Sequence, residues 1–226
     1  MVNLKWNENM PGWDAAAKEH GIDLSCFEQD KILKQKRLID LGLPVARNLL
    51  YQRDELKMDI IDELFSECDW FCRLIPKHGG DRPWRLRLKS RKEFEEFISQ
   101  YDLSKYMINL GEKRDVSYTG AIISHDDADG LPDHCIAEIA PVDGHEFFHG
   151  KVIPIHAEVG PYGRVIHYTG LHLNPSVHER SLVRNALRWI GGPRHPLPGY
   201  FEFEVWGRWD IRFRNYQPQD TAYARL

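Results

Sequence analysis

From about residue 105 to residue 218 the chain is a succession of strand-like stretches: "KYMINL", "VSYTGAIIS", "HCIAEIA", "HGKVIPIHAEV", "RVIHYTGLHL" and "GYFEFEVWGRWDIRFRNYQP". Turn-rich pieces such as "HDDADGLPD" and "PVDGHEF" separate them. Short β-prone runs punctuated in this way predict a mostly antiparallel sheet. The last stretch alternates on both sides of Trp206-Gly207, which predicts a hairpin.

Helices stand around these strands. Residues 27 to 41, "FEQDKILKQKRLIDL", bring Ile32, Leu33, Leu38, Ile39 and Leu41 to near-helical spacing, and Gly42 stops the helix before Pro44. An extended "LPVARNLLY" follows, then a second amphipathic helix, "RDELKMDIIDELFSE", and a strand, "WFCRLIP". In "SRKEFEEFISQY", Ser90 and Glu93 form a capping box ahead of a helix burying Phe94, Phe97, Ile98 and Tyr101. "SVHERSLVRNALRWIGG" is a further helix with a Gly-Gly stop. The class expected is α+β, mostly antiparallel sheets with packed helices.

At 226 residues, with 42% hydrophobic, the chain can build a proper core. Its net charge of −4 argues against a surface wholly committed to nucleic acid. No apolar run approaches the ~20 residues of a membrane span, and the first residues are too polar for a secretory signal, so a cytoplasmic protein is expected. Cys26, Cys68, Cys72 and Cys135 offer no zinc-ligand spacing. They are read as reduced and structural. The eleven histidines have no HExxH or comparable spacing.

Charge is concentrated locally. Around Gly79-Gly80 lie Arg73, Lys77, His78, Arg82, Arg85 and Arg87, a cationic collar on a flexible turn that suits phosphate oxygens. In "WRLRLK" the alternation sends Leu86 and Leu88 one way and Arg85, Arg87 and Lys89 the other. In the final hairpin Glu202 and Glu204 share a face, as do Arg212 and Arg214. Such carboxylates either form cross-strand ion pairs in water or hold Mg²⁺ while an arginine steadies phosphates. Glu138, in "CIAEIA", is a carboxylate in an apolar run that must face solvent or find a partner. No GxxxxGK[ST], GxGxxG after a strand, or GxSxG occurs. Any nucleotide site must therefore use another architecture.

The order of these motifs resembles the ATP-grasp superfamily, and within it the nucleotide-binding part of phosphoenolpyruvate synthase and pyruvate phosphate dikinase. "KILKQKRLIDLGLPVARN" is similar to that family's lysine-bearing helix and turn, "FCRLIPKHGG" to its phosphate-contacting strand, "IAEIAPVDGHEFFHGKVIPIH" to its acidic strand, and "FEFEVWGRWDIRFRNYQP" to its closing hairpin. The family's serine-rich stretch is replaced by "LIPKHGGDRPWR", and its closing polar turn by "NYQP". The resemblance implies an ATP-grasp-like fold: an extension over residues 1–30, a smaller subdomain over 31–110 and a larger one over 111–226. It implies ATP and Mg²⁺ as cofactors. Arg73 and Lys77 would contact phosphates, and adenine would lie near "YMINLGEK" with Met107 and Asn109. Glu138 and Glu204 would hold the metal, with Arg212 and Asn215 completing the site. The implied chemistry is ATP-dependent ligation or phosphotransfer onto an acceptor that the sequence does not name.

Two other readings stand beside it. The strip 82–91, with Arg82, Arg85, Arg87, Lys89 and Arg91, would grip nucleic-acid phosphates while Trp84 stacks on bases. Alternatively, the chain is an ATP-grasp domain that has lost its chemistry and serves a protein partner.

Overall fold

The computed structural model describes residues 31–78, 81–126, 132–142, 144–148, 151–159, 166–169 and 174–218. The chain forms two compact units: one comprises the residues up to Val45 and those from Val116 onward, the other Ala46–Asp115. The sequence reading divides the chain after residues 30 and 110. The helix at 31–40 belongs instead with the larger unit, because Leu38 and Leu43 are buried in that unit's core.

In the larger unit, α1 (Lys31–Asp40) ends where the sequence places its stop. Gly42 adopts φ +71°, its N–H bonds Ile39 O, and Leu43 N–H bonds Leu38 O, a Schellman ending. The chain then lies against β10 (Asp210–Gln217), with Val45 bridging Phe213. Six strands make one antiparallel sheet: β5 (Val116–Asp126), β6 (Pro132–Ala140), β7 (Ile155–Val159), β8 (Ile166–Thr169), β9 (Gly199–Trp206) and β10, in the order β10-β9-β5-β6-β7-β8.

One face of that sheet carries the main core. Ile122, Ala137, Ile139, Phe201, Phe203 and Val205 pack there against Leu38 of α1 and against Leu182, Val183, Ala186 and Leu187 of α5 (Val177–Trp189). Helix α5 begins with a full capping box between Ser176 and Glu179. It is closed by Gly191 and Gly192, at φ +104° and +86°. Within "PVDGHEF", read as a turn, the structure forms a five-residue helix, α4 (Gly144–Phe148). Its Phe147 packs on the sheet's other face with Ala121, Ile123, Ile136, Ala140 and Tyr200.

The smaller unit is a four-stranded antiparallel sheet of β1 (Asn48–Tyr51), β2 (Asp69–Pro76), β3 (Trp84–Leu88) and β4 (Tyr106–Lys113), ordered β1-β4-β2-β3. Helices α2 (Met58–Glu67) and α3 (Arg91–Ile98) contribute Ile61, Leu64, Phe94 and Phe97 to a core with Trp70, Cys72, Leu74, Ile108 and Leu110. Ser90 caps α3 by accepting from Glu93 N–H. The Glu93 carboxylate reaches back to Lys89 N–H rather than to Ser90, so half of the expected box forms. Among the described residues no helix is long and apolar enough to cross a membrane.

Candidate functional site

In an antiparallel sheet, residues directly opposite one another share a face. Pairing therefore decides which of the candidate side chains stand together. In the smaller sheet Arg73 pairs with Asn109 on one side and Trp84 on the other, and Met107 pairs with Ile75. Arg73, Asn109, Met107 and Trp84 thus occupy the face opposite the helices. Asn109 is buried, and its Nδ2 donates to Asn48 Oδ1 at 2.6 Å, which fixes the amide. Beside them Phe71 lies over Gly111, where a β-carbon would come within 1.9 Å of the ring. Lys77 is exposed just past β2, its N–H held by Lys105 O at 2.9 Å.

The basic strip departs from its expected alternation. A register shift between Trp70 and Cys72 sets Arg85, not Leu86, opposite Cys72. Trp84, Arg85, Leu86 and Arg87 are consequently all exposed, and burial resumes at Leu88. Within the strip, Arg87 pairs with Asp69 and Asp115, and Arg91 with Asp62 and Glu95.

In the larger unit the pairings Asn215–Glu202, Glu202–Ala121, Ala121–Glu138 and Glu138–His156 form one row across five strands. Asn215, Glu202, Glu138 and His156 therefore lie on the face opposite α1 and α5, with small Ala121 in the middle. The neighbouring row sets Arg212 opposite Glu204 and Glu204 opposite Thr119. Arg214 also stands beside Glu204, so the two arginines share a face as expected, and a bulge falls between Phe213 and Asn215. It makes Arg214 the extra residue and brings Asn215 opposite Glu202.

Hydrogen bonds order this face. Glu202 accepts from Tyr200 O–H at 3.1 Å and from Asn215 Nδ2 at 3.3 Å. Glu204 accepts from Trp206 Nε1 at 3.2 Å, and Arg214 Nε stands 3.6 Å from the same oxygen. Arg212 spreads over Asp210, the carbonyl of Val45 and the Trp206 ring. A β-carbon on Gly144, at the start of α4, would lie 3.3 Å from the Phe148 ring and 3.9 Å from Glu204 Oε1. Glu138 is 1% exposed, and its Oε1 meets His156 Nδ1 at 3.0 Å. Burial pulls the His156 pKa down, but the carboxylates of Glu138 and Glu158 outweigh it and leave the imidazole above its ordinary value.

No protein-family model matches the chain. No curated protein matches it either. Solved structures do. The ADP complex of PurK, N5-carboxyaminoimidazole ribonucleotide synthetase, superposes with a TM-score of 0.50 at 14% identity, over 95% of this chain and 52% of that one. D-alanine-D-alanine ligase from Coxiella burnetii gives 0.47 at 12% identity, over 96% and 57%. The ATP-grasp ligase PsnB, complexed with its minimal precursor, gives 0.39 at 16% identity, over 91% and 57%. The fold is ATP-grasp-like. At such identities the likeness is one of fold, and this chain spans about half the length of the structures it matches.

Within this ATP-grasp-like fold, Glu204, Arg212 and Asn215 share one face of the larger sheet with Glu138, while Arg73, Met107 and Asn109 share one face of the smaller. Glu138 and Glu204 are not neighbours. They lie two strands and one two-residue step apart, about 12 Å between α-carbons from ordinary sheet spacings. Glu202 stands nearer to Glu204 and directly opposite Asn215. Among the described residues no group of three or more His, Cys, Asp or Glu side chains gathers to hold an ion unaided. The donor set still fits Mg²⁺ bound with a nucleotide, because that ion commonly takes one or two protein carboxylates and fills its octahedron from phosphate and water. The sequence reading leaves out His156. Its signal is the alternation of "IPIHAEV", in which His156 and Glu158 face away from Ile155, Ala157 and Val159.

Proposed function

We propose that this protein binds ATP with Mg²⁺ and acts as an ATP-dependent ligase, activating a carboxylate as its acyl phosphate or passing the phosphoryl group directly to an acceptor. The observation that carries this reading is the face of the larger sheet on which Glu202, Glu204, Asn215 and Arg212 stand together, in a fold shared with an ADP-bound synthetase. Phosphoryl transfer asks a protein for fixed charges and dipoles more than for a nucleophile, and this face offers both signs of charge at held positions.

In this reading Glu204, with Glu202 beside it, holds the magnesium, which neutralises phosphate charge when bound. Glu138, the other carboxylate expected to bind it, stands on the same face. Asn215 contributes its buried amide oxygen, which accepts no hydrogen bond from the described residues. Arg212, pinned by Asp210, presents its guanidinium beside Glu204 without the entropy loss of a free side chain. On the smaller sheet, Arg73 and Lys77 hold phosphate oxygens, and Met107 and Asn109 form an apolar and amide surface for the purine. The nearer resemblance to phosphoenolpyruvate synthase rests on the sequence motifs alone.

The test is thermal unfolding with ATP, with Mg²⁺, and with both. A ligand that binds only the folded protein stabilises it by about 2.7 kcal/mol at a hundredfold excess over Kd. A rise in midpoint that needs both components, and is lost in Glu204→Ala, supports the proposal. No rise at millimolar ATP overturns it. The pairing of Arg87 and Arg91 with acidic neighbours speaks against the basic strip as a nucleic-acid grip, since those charges are already partly neutralised.

A further inference from the structure

Strand β3 ends its sheet: in the order β1-β4-β2-β3 it has a strand neighbour on one side only among the described residues. Which backbone groups it leaves open follows from its bonds to β2. Leu74 N–H donates to Pro83 O at 2.8 Å, and a trans peptide turns its C=O and N–H to opposite sides, so Trp84 N–H points away from β2. Hydrogen-bonded pairs recur at every second residue of an antiparallel ladder, which makes Arg85 and Cys72 the next such pair. Arg85 therefore turns its N–H and C=O to β2, and Trp84 C=O and Leu86 N–H face the open edge.

The same two residues are apolar and uncovered. Trp84 is 58% exposed and Leu86 57%, whereas Leu88, past the register shift, is buried. An edge that joins open N–H and C=O groups to large apolar side chains is a template for another strand. Arginine governs which strand it accepts. Arg85 lies between the two and forms no ion pair with the described residues, while Arg87 is held by Asp69 and Asp115. A second copy of the chain is a poor occupant. Antiparallel pairing of Trp84 with Leu86 sets Arg85 against Arg85, pairing Leu86 with itself sets Arg85 against Arg87, and pairing Trp84 with itself sets Leu86 against Arg82; like charges directly opposite repel. A polynucleotide answers the charge but has no row of alternating N–H and C=O groups to meet the edge.

We infer that the open edge of β3 receives an extended segment of a partner protein, in which apolar residues stand opposite Trp84 and Leu86 and an acidic residue stands opposite Arg85. The added strand bonds to Trp84 N–H and C=O and to Leu86 N–H. Its acidic residue falls in the intervening pair, which is not hydrogen-bonded and whose side chains therefore approach most closely, and it neutralises the guanidinium that repels a second copy. The inference concerns the edge of the smaller sheet, goes beyond the nucleotide reading and does not depend on it.

The experiment is fluorescence anisotropy at low salt with the full-length protein, without nucleotide, and a dye-labelled peptide, acetyl-Ser-Val-Glu-Val-Glu-Val-Ser-amide. The comparisons are the same peptide with lysine for glutamate, the same peptide with N-methylvaline for valine, and a thymidine oligonucleotide. The expected result is saturable binding of the acidic peptide, weakened about tenfold in each altered peptide, with slowed hydrogen exchange at the Trp84 and Leu86 amides. Arg85→Glu, at an exposed position, should reverse the preference in favour of the lysine peptide. Leu86→Pro removes an open N–H without touching a bond to β2 and should abolish binding. Should that variant fail to fold, the N-methylated peptide tests the same ladder from the other side. The inference is overturned if the acidic peptide does not bind at about 1 mM, if either altered peptide binds as tightly, or if Arg85→Glu leaves their order unchanged. It is overturned too if the oligonucleotide displaces the acidic peptide, or if the protein alone is a dimer that Leu86→Pro disperses. Because nucleotide is absent, any of these outcomes leaves the ATP test standing on its own.

Discussion

Replacing His156 by alanine removes the donor that Glu138 holds at 3.0 Å and strands a carboxylate that is 1% exposed, within a strand whose neighbours are Ile136, Ala137, Ile139 and Ala140. Breaking a buried pair by deleting one partner costs about 3–5 kcal/mol. Glu158 is solvated enough to adjust and adds little. The expected loss for His156→Ala is therefore about 3 kcal/mol. The double variant Glu138→Ala/His156→Ala should recover part of that loss, since the stranded charge is gone, giving a coupling of about 2 kcal/mol. The pH dependence has a definite sign. The folded pKa of His156 is raised, so its stabilisation is complete below the unfolded histidine value of about 6.5 and is lost as pH rises through the folded value. The gap between parent and His156→Ala should therefore be wider near pH 5.5 than near pH 9, on the same reference value of about 6.5. Urea unfolding followed by tryptophan fluorescence measures both, with separate transitions fitted if the two compact units unfold apart. A loss below 1 kcal/mol that does not vary with pH would refute the account of this pair as a buried, charge-dependent contact.

Gly111→Ala should destabilise the smaller unit by about 1–3 kcal/mol, because a β-carbon there meets the Phe71 ring; Phe71→Ala in the same chain should relieve the loss, and chemical denaturation reads both. Ser176→Ala removes the cap of α5 and should cost about 1 kcal/mol in thermal unfolding, with Ser176→Asp close to neutral. Burial pushes the thiols of Cys72 and Cys135 up to about 12, so maleimide labelling of the native protein should spare both and, among the described cysteines, reach the half-buried Cys68 first, as peptide mass spectrometry would show. Prompt labelling of Cys135 without denaturant would contradict its place in the core.

Local chemistry made the elements legible and left their partners hidden. The Gly42 stop, the Ser90 cap and the closing hairpin all follow from residues within a few positions of one another, and the structure has them. The placing of β9 between β10 and β5 joins segments some eighty residues apart, and no local pattern encodes it. Bulges were likewise invisible. The alternation of Arg212 and Arg214 held until one inserted residue turned Asn215 toward Glu202, and a shift opposite Trp70 exposed both leucine and arginine in β3. Glu138 stood out as a carboxylate in an apolar run, yet its partner lies eighteen residues on, in a strand whose register only the folded sheet sets.

The smaller sheet is carried as a continuous excursion between Val45 and Val116, and this gives the two units different routes to the native state. Ala46–Asp115 closes its sheet and helices from contacts within its own span. The larger unit must bring α1 and Val45 back to β10, across nearly the whole described chain. Closing the seventy-residue excursion alone costs about 4 kcal/mol in chain entropy if that segment is still unstructured, and less once it has collapsed. During synthesis the smaller sheet can therefore form first, on the ribosome, and hold Val45 and Val116 as a short clasp. The edge of the larger sheet is completed only when the last hairpin emerges to receive α1. A truncation before β10 should leave the smaller sheet protected from hydrogen exchange while α1 stays open.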